Sequence, residues 1–347
     1  MAYERISIPP VMRAVLLKGH GGTEQLEYRE DVPVPVPARD EVLIRIHAAA
    51  INNTDINARV GWYSKSSQAA DAGWAGDALT FPRIQGADAC GYIVAVGSGV
   101  EPRRIGERVL IDPVLRRRAS RPQYFGSDTP GAFAEFSAVP AVNARAVRST
   151  LADGELASFP CAYLAAENML TRAQVARGEK VLVTGASGGV GSAAVQLARR
   201  RGATVVAVAG RSKSAAIRAL GAEMVLPREA DLRAELGQDS VDVVIDVVGG
   251  PAFEWLPDIL VRTGRCAVAG AIGDPVVTLD LRTVYLKDLT LLGCTIPAPE
   301  VFANLIGYIE RGEIRPVIGA SYPLREIAAA QEDFISKSRV GKIVLTL

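Results

Sequence analysis

The sequence predicts an α/β protein of two parts, a doubly wound parallel sheet in mid-chain and a mostly-β domain around it. Three observations predict this. Residues 181–294 alternate apolar strands with helices, and the strands are rich in Val, Ile and Leu without clean alternation, as in parallel sheets covered on both faces. The first 150 residues instead carry short strands divided by Pro and Gly turns, including the spacer Val32–Pro37. A chain of 347 residues is also long for a single core.

Taken in order, the N-terminal part offers strands at Arg13–Leu17, Glu41–Ala50, Gly91–Val96 and Arg108–Ile111. The middle offers strand Val181–Thr184, a helix after it, strand Thr204–Val208, helix Ser214–Leu220, strand Met224–Leu226 and helix Ala230–Leu236. Strand Val241–Ile245, helix Phe253–Val261 and strands Arg265–Ala269 and Leu289–Cys294 complete it. A helix at Pro299–Gly312 and a last strand, Lys342–Leu347, follow, and that strand is expected to return to the N-terminal domain. The domains are therefore expected at 157–298, and at 1–156 together with 299–347.

Composition excludes several classes. About half of the residues are apolar (49%) and 22% are charged, which is ordinary for a soluble globular protein. A net charge of +1 gives no reason to expect nucleic acid or an anionic membrane as a partner. The basic run Arg116, Arg117, Arg118 and Arg121 reads as a solvated turn. The first ten residues lack an apolar signal segment, and the uncharged run Val181–Ala198 is broken by polar residues and glycines, so a cytoplasmic protein is expected. Cys90, Cys161, Cys266 and Cys294 form no CxxC pair, which argues against a disulfide framework and a zinc knuckle.

The chemistry begins at Gly185–Gly191. An apolar strand runs into a loop of small residues, Ala186, Ser187, Gly188, Gly189, Val190 and Gly191, and a helix follows at once. Such a turn lets backbone N–H groups approach a pyrophosphate, and the helix N-terminus adds its positive dipole end. In the GxGxxG register Ala186 takes the first glycine position, and alanine is small enough for the turn. This is the dinucleotide loop of a Rossmann unit. The end of the second strand then selects the nucleotide, because an acid there favours NAD and basic residues accommodate the 2′-phosphate of NADP. Here Arg211, Ser212 and Lys213 follow, with no acid before Glu223, and the expected cofactor is NADPH. Arg339, with Lys337, is expected to reinforce it if the tail folds back. Val247, Ala269, Gly270 and Ala271, after the fourth and fifth strands, are candidate contacts to ribose and nicotinamide.

Over nearly its whole length the chain resembles the medium-chain dehydrogenase/reductase superfamily. The carrying residues are His47–Asp55, Gly61–Tyr63, Gly86–Gly97, Gly106–Val109, the glycine loop and the closing Gly341–Leu345. The resemblance implies a GroES-like catalytic domain interrupted by the Rossmann domain, and commonly a homodimer or homotetramer. It also locates the zinc ligands of alcohol dehydrogenases. Asn52 stands at the first Cys position, Ala87 at the His, Asp88 at a nearby Glu, and only Cys161 keeps a thiol. An amide, a methyl and one thiol make no zinc site. The zinc-binding lobe is missing too, since Asp112–Phe133 contains no cysteine. The zinc-free branch that looks closest is the quinone oxidoreductase group, matched at Asn52, Asp55, Arg59, Gly61 and Tyr63. The segments Ser64–Thr80 and Arg116–Arg121 look longer than in typical members.

The expected activity is NADPH-dependent, zinc-independent reduction of quinones or α,β-unsaturated carbonyls, with a small-molecule substrate as the partner. Without a metal, a side chain must donate to the oxygen as negative charge develops. Tyr63 is the first candidate; Asn52 offers amide donors, and Thr54 a hydroxyl for ribose or substrate. The plainer readings are an Asn52 helix cap, an Asp55–Arg59 ion pair and a Tyr63 that walls the pocket. Two alternative functions stand beside the first, a zinc-free alcohol or aldehyde oxidoreductase and a non-catalytic NADPH-binding protein with a sensing or structural role.

Overall fold

The computed structural model describes residues 7–64, 73–74, 78–116 and 121–347. The chain forms two compact units, one made of residues up to Cys161 with Arg315–Leu347, the other Ala162–Ile314. Among the described residues, no helix is long and apolar enough to cross a membrane.

The first unit opens with β1 (Val11–Leu17), β2 (Leu26–Pro33) and the long β3 (Glu41–Ala50), followed by α1 (Asn53–Arg59). Then come β4 (Arg83–Ile84), β5 (Asp88–Val96), β6 (Arg108–Ile111), β7 (Val114–Leu115), β8 (Gln123–Tyr124), β9 (Phe136–Pro140), β10 (Ala144–Ala146) and α2 (Asp153–Ala157). Helix α3 (Pro160–Arg172) crosses into the second unit.

That unit contains β11 (Lys180–Val183), α4 (Gly189–Arg200), β12 (Thr204–Ala209), α5 (Ser214–Ala219), β13 (Met224–Pro227), α6 (Leu232–Leu236) and β14 (Val241–Asp246). It ends with α7 (Leu256–Ile259), β15 (Leu260–Val268), α8 (Leu281–Leu286), β16 (Thr290–Gly293) and α9 (Pro299–Glu310). The chain returns to the first unit as β17 (Ile318–Pro323), α10 (Ile327–Ser336) and β18 (Lys342–Thr346).

In the second unit the sheet runs β13-β12-β11-β14-β15-β16, all parallel, the doubly wound order in which the chain reverses between β11 and β14. Leu182, Val206, Val244, Ile259, Leu260 and Cys266 build its core. The chain does not make one helix over Phe253–Val261. A 3₁₀ turn (Pro251–Trp255) and the short α7 give way at Leu260 to β15. Thr263 takes a left-handed φ of 62°, so the strand bends and pairs Leu260 with Val241 and Arg265 with Val243. The compact units also divide later than the expected boundaries, at 161/162 and 314/315. Helix α9 stays with the second unit because Tyr308 donates to Glu167 of α3 at 3.3 Å and Arg200 of α4 lies over the Tyr308 ring.

In the first unit β3 is the spine of a seven-stranded sheet. Strand β5 pairs along its length on one side, while β9 takes Glu41–Arg45 and β18 takes Ala48–Ala50 on the other. The last strand thus joins the N-terminal domain, as its position in the chain predicts. Ile44, Ile46, Ile93, Phe125, Phe133, Ile343 and Leu345 share its core. The alanines at 48–50 are fully packed, which lets β5 and β18 close tightly on the end of β3. All four cysteines are free; Cys90, Cys266 and Cys294 are buried and Cys161 is partly so.

Candidate functional site

The register of β18 on β3 fixes the first cluster. Val344 faces Ala50, and just beyond that pair the Lys342 side chain reaches Asn52. On the other side Asp88 faces Ala50. Three strand ends therefore deliver Asn52, Asp88 and Lys342 to one buried point. Lys342 is 3% exposed, and its Nζ donates to the Ile51 carbonyl at 2.8 Å and to Asn52 Oδ1, and pairs with Asp88 Oδ2 at 2.8 Å. The Asn52 amide nitrogen donates to Asp88 Oδ2 at 2.9 Å and to the Ala50 carbonyl at 3.3 Å. The Cys161 N–H closes the set on Asp88 Oδ1 at 2.6 Å. A buried carboxylate needs this many partners, since desolvation otherwise forbids its charge.

This geometry bears on two expectations. In the structure both amide hydrogens of Asn52 lie on protein acceptors. It stands at the N-cap of α1, where Asp55 Oδ2 accepts its backbone N–H at 2.7 Å. Asp55 makes no ion pair with Arg59; that guanidinium instead donates to Gln331 Oε1 at 2.9 Å and to the Gly21 carbonyl at 2.6 Å. Burial pushes the Asp55 carboxyl up to about 7, against the lowering effect of the Asn52 N–H and the Lys342 charge.

Two phenols stand beside this cluster. The turn after α1 carries Tyr63, whose hydroxyl donates to Thr54 Oγ1 at 3.0 Å. Burial raises its pKa, so the group stays protonated at neutral pH. Tyr124, on β8, is 7% exposed and donates to Cys161 Sγ at 3.1 Å. Burial pushes Tyr124 well above the ordinary phenol range and Cys161 up to about 12. Sequence reasoning missed Tyr124, which carries no local signal, and treated Lys342 only as part of a closing motif. A lysine opening the apolar strand Lys342–Leu345 was the available clue. Most of Ser64–Thr80, and Arg117 and Arg118, lie outside the described residues; Arg116 lies 3.5 Å from Asp112.

The second cluster sits at the carboxyl ends of the parallel strands. Gly185 has a φ of 57°, the left-handed region that favours glycine, and an added Cβ on Gly191 would lie 2.3 Å from the Gly185 carbonyl. Those two glycines serve the protein's own packing. Gly188, the N-cap of α4, differs, because its φ is an ordinary −79° and an added Cβ would meet only the Gly185 oxygen at 3.5 Å. The backbone thus leaves room at Gly188 beside the N-terminus of the helix that Gly189, Val190 and Gly191 open, where an anion is favoured. Ala186 is buried and anchors the loop through its N–H to the Val208 carbonyl at 3.0 Å, and Ser187 is buried with it. A dinucleotide pyrophosphate fits this cradle.

Asp246, 1% exposed, organises the neighbouring loop. It accepts from Thr184 Oγ1 at 2.6 Å, from Val248 N at 3.2 Å and from Gly249 N at 3.0 Å. Val247 follows it directly at the end of β14, and Ala269, Gly270 and Ala271 follow β15. An added Cβ on Gly270 would lie 2.7 Å from the Val247 carbonyl, so the two loops interlock. After β12, Arg211 is 80% exposed, Ser212 is exposed, and Lys213 is buried, its pKa lowered by burial and by Arg228. Arg228, one residue past β13, is a third basic group that sequence reasoning missed; the adjacent strand end was the place to look. Arg339, in the first unit, pairs with Asp333 at 3.1 Å, and Lys337 donates to Asn53 Oδ1 at 3.1 Å.

The alcohol dehydrogenase GroES-like domain family matches residues 38–149, and the zinc-binding dehydrogenase family matches residues 189–311. Rattus norvegicus quinone oxidoreductase is 31% identical over 97% of this chain and 98% of its own. The chain belongs to the medium-chain dehydrogenase/reductase superfamily. It is an oxidoreductase. Another superfamily relative is the Arabidopsis thaliana chloroplastic NADPH-dependent alkenal/one oxidoreductase, 28% identical over 98% of this chain and 80% of its own. A solved structure from Sinorhizobium meliloti, provisionally named an alcohol dehydrogenase, is 49% identical, covers 98% of each chain and superposes with a TM-score of 0.93. The zinc-binding name attaches to residues 189–311, which include none of Asn52, Ala87, Asp88 and Cys161. Among the described residues, no three His, Cys, Asp or Glu side chains gather as a metal site. Of these four, Ala87 carries no donor atom and Asp88 is held by an ammonium and an amide.

Proposed function

We propose that this chain is an NADPH-dependent, zinc-independent reductase of quinones or α,β-unsaturated carbonyls. The observation that carries the reading is the Lys342–Asp88–Asn52 cluster, in which an ammonium satisfies the carboxylate and amide beside the superfamily's metal position. A saturated alcohol needs a strong Lewis acid or base before it gives up hydride, whereas a conjugated acceptor needs mainly positioning and a hydrogen-bond donor. The quinone oxidoreductase and alkenal/one oxidoreductase relatives support such acceptors.

NADPH supplies the hydride when bound. The chain's own residues hold and orient it: Gly188–Gly191 toward the pyrophosphate, Val247 and Ala269–Ala271 toward the ribose and nicotinamide. Arg211, Ser212 and Lys213, joined by Arg228, favour the 2′-phosphate. Tyr63 donates to Thr54, which leaves the Thr54 hydroxyl hydrogen to be donated to the acceptor oxygen as charge develops on it.

The test is NADPH oxidation across a panel of quinones, enones and aldehydes. Brisk, chelator-insensitive turnover that is slower with NADH is expected. Tight stoichiometric zinc, or no turnover with any acceptor, sinks the reading. The alternative of a zinc-free alcohol oxidoreductase is favoured by the provisional name of the 49%-identical structure, and turnover of saturated alcohols with NADP⁺ distinguishes it. We further propose a cytoplasmic homo-oligomer. Strand β16 ends the sheet, and Leu281, Tyr285 and Leu286 beside it are 68%, 64% and 61% exposed, an apolar surface that supports self-association. Light scattering on the eluting protein reads the oligomeric state.

A further inference from the structure

Trp74, in the Ser64–Thr80 stretch, and Tyr124, on β8 just past Arg121, meet. Their ring centroids are 4.7 Å apart with planes tilted by 32°. The contact is built in. The Trp74 N–H donates to Ser127 Oγ at 3.2 Å, and the Tyr124 N–H donates to Asp128 Oδ2 at 2.7 Å, so both backbones are tied to the same turn. The turn packs closely at Gly73, where an added Cβ would lie 2.7 Å from a terminal methyl of Leu79 and 2.9 Å from Asp128 Oδ1.

The stack reaches the candidate active site through the Tyr124 hydroxyl, which donates to Cys161 Sγ. Cys161 in turn caps Asp88, and Tyr63 lies within electrostatic reach of both Cys161 and Tyr124. Tyr124 is almost fully buried, while Trp74 is only partly so, and one end of the stack is thus fixed and the other accessible. A tilted pair of large rings anchored at one end offers a flat, polarisable face. Such a face gains most from a planar aromatic partner and little from a short aliphatic chain.

We propose that Trp74, backed by Tyr124, is a specificity-determining wall that favours planar aromatic acceptors, quinones fused to a second ring, over acyclic enones. The inference rests on the reductase reading above and names the substrate class that the same site prefers. The Tyr124 hydroxyl fixes the ring on Cys161, and Trp74 supplies the face.

The experiment compares wild type, Trp74→Leu, Trp74→Phe and Tyr124→Phe with 1,4-naphthoquinone and with 3-penten-2-one, NADPH being saturating. Trp74→Leu is expected to raise the KM for naphthoquinone about fivefold and to leave the KM for the enone within about twofold, the scale of one aromatic contact. Trp74→Phe keeps a ring and is expected to retain most of the discrimination. Tyr124→Phe keeps the ring and loses the tether, and is expected to give an intermediate rise with the quinone alone. Equal changes for both acceptors, or none in Trp74→Leu, overturn the proposal. Calorimetric titration with naphthoquinone reads the wall without turnover, and an unchanged affinity in Trp74→Leu also overturns it. Failure of wild type to reduce either acceptor overturns the reductase reading, while the titration still decides the wall. Near-ultraviolet circular dichroism verifies the fold of each variant.

Discussion

Asp55 shows what burial does to one carboxyl. Its pKa stands at about 7 in the folded chain, above its unfolded value of 3.8, so the native state binds the extra proton. The stability it contributes is full below about pH 4 and is lost as pH rises through about 7, at up to about 1.4 kcal/mol per unit. The melting temperature is therefore expected to fall from pH 5 to pH 8, and Asp55→Asn to flatten that slope. Asp112 and Asp246, also raised by burial, contribute in the same direction. An identical slope in the variant refutes the assignment. At Lys342 the expectation is a loss of stability. Lys342→Met strands the fully buried Asp88 carboxylate, a change that costs roughly 3–5 kcal/mol. Denaturant unfolding measures it, and a double variant with Asp88→Asn is expected to recover part of the loss.

At the scale of elements, the glycine loop separates two kinds of glycine. Gly191→Ala forces a Cβ against the Gly185 carbonyl and is expected to lower the melting temperature without nucleotide. Gly188→Ser has room and keeps a favourable N-cap, so the apo protein is expected to melt as wild type does. Its NADPH affinity, read from the nucleotide-induced rise in melting temperature, is expected to fall at least about tenfold. A full NADPH shift in Gly188→Ser refutes the cradle.

The elements also show what a sequence reveals. Strands β3 and β6 are legible to the residue because apolar runs end at clear Gly, Pro or Asn signals. The early start of β15 is not legible, since Leu260 and Val261 continue the apolar pattern of α7 and only the left-handed Thr263 makes the break. The nucleotide loop is a local motif and reads directly. The Asn52 environment depends on Lys342, nearly 300 residues away, and on a register that only pairing with β3 reveals. Asn52 thus looks like a free donor in the sequence, while in the structure its amide hydrogens lie on protein acceptors.

For the whole molecule, the distribution of sulfur has a consequence for durability. The acceptors proposed here are electrophiles that alkylate exposed thiolates, so an enzyme that processes them risks inactivating itself. This chain carries four cysteines and no disulfide, yet burial raises the pKa of every one. At Cys161, nearest the chemistry, burial and the nearby Asp88 carboxylate disfavour the reactive thiolate and outweigh the opposing effects of Lys342 and of the Tyr124 hydroxyl on its sulfur. Incubation with a water-soluble enone in excess is therefore expected to leave all four thiols unmodified by intact-mass analysis in the folded protein. The same chain in denaturant is expected to take up four adducts. Rapid alkylation of the native protein contradicts this. Turnover with reactive acceptors then lasts for as long as the fold keeps its sulfhydryls out of reach.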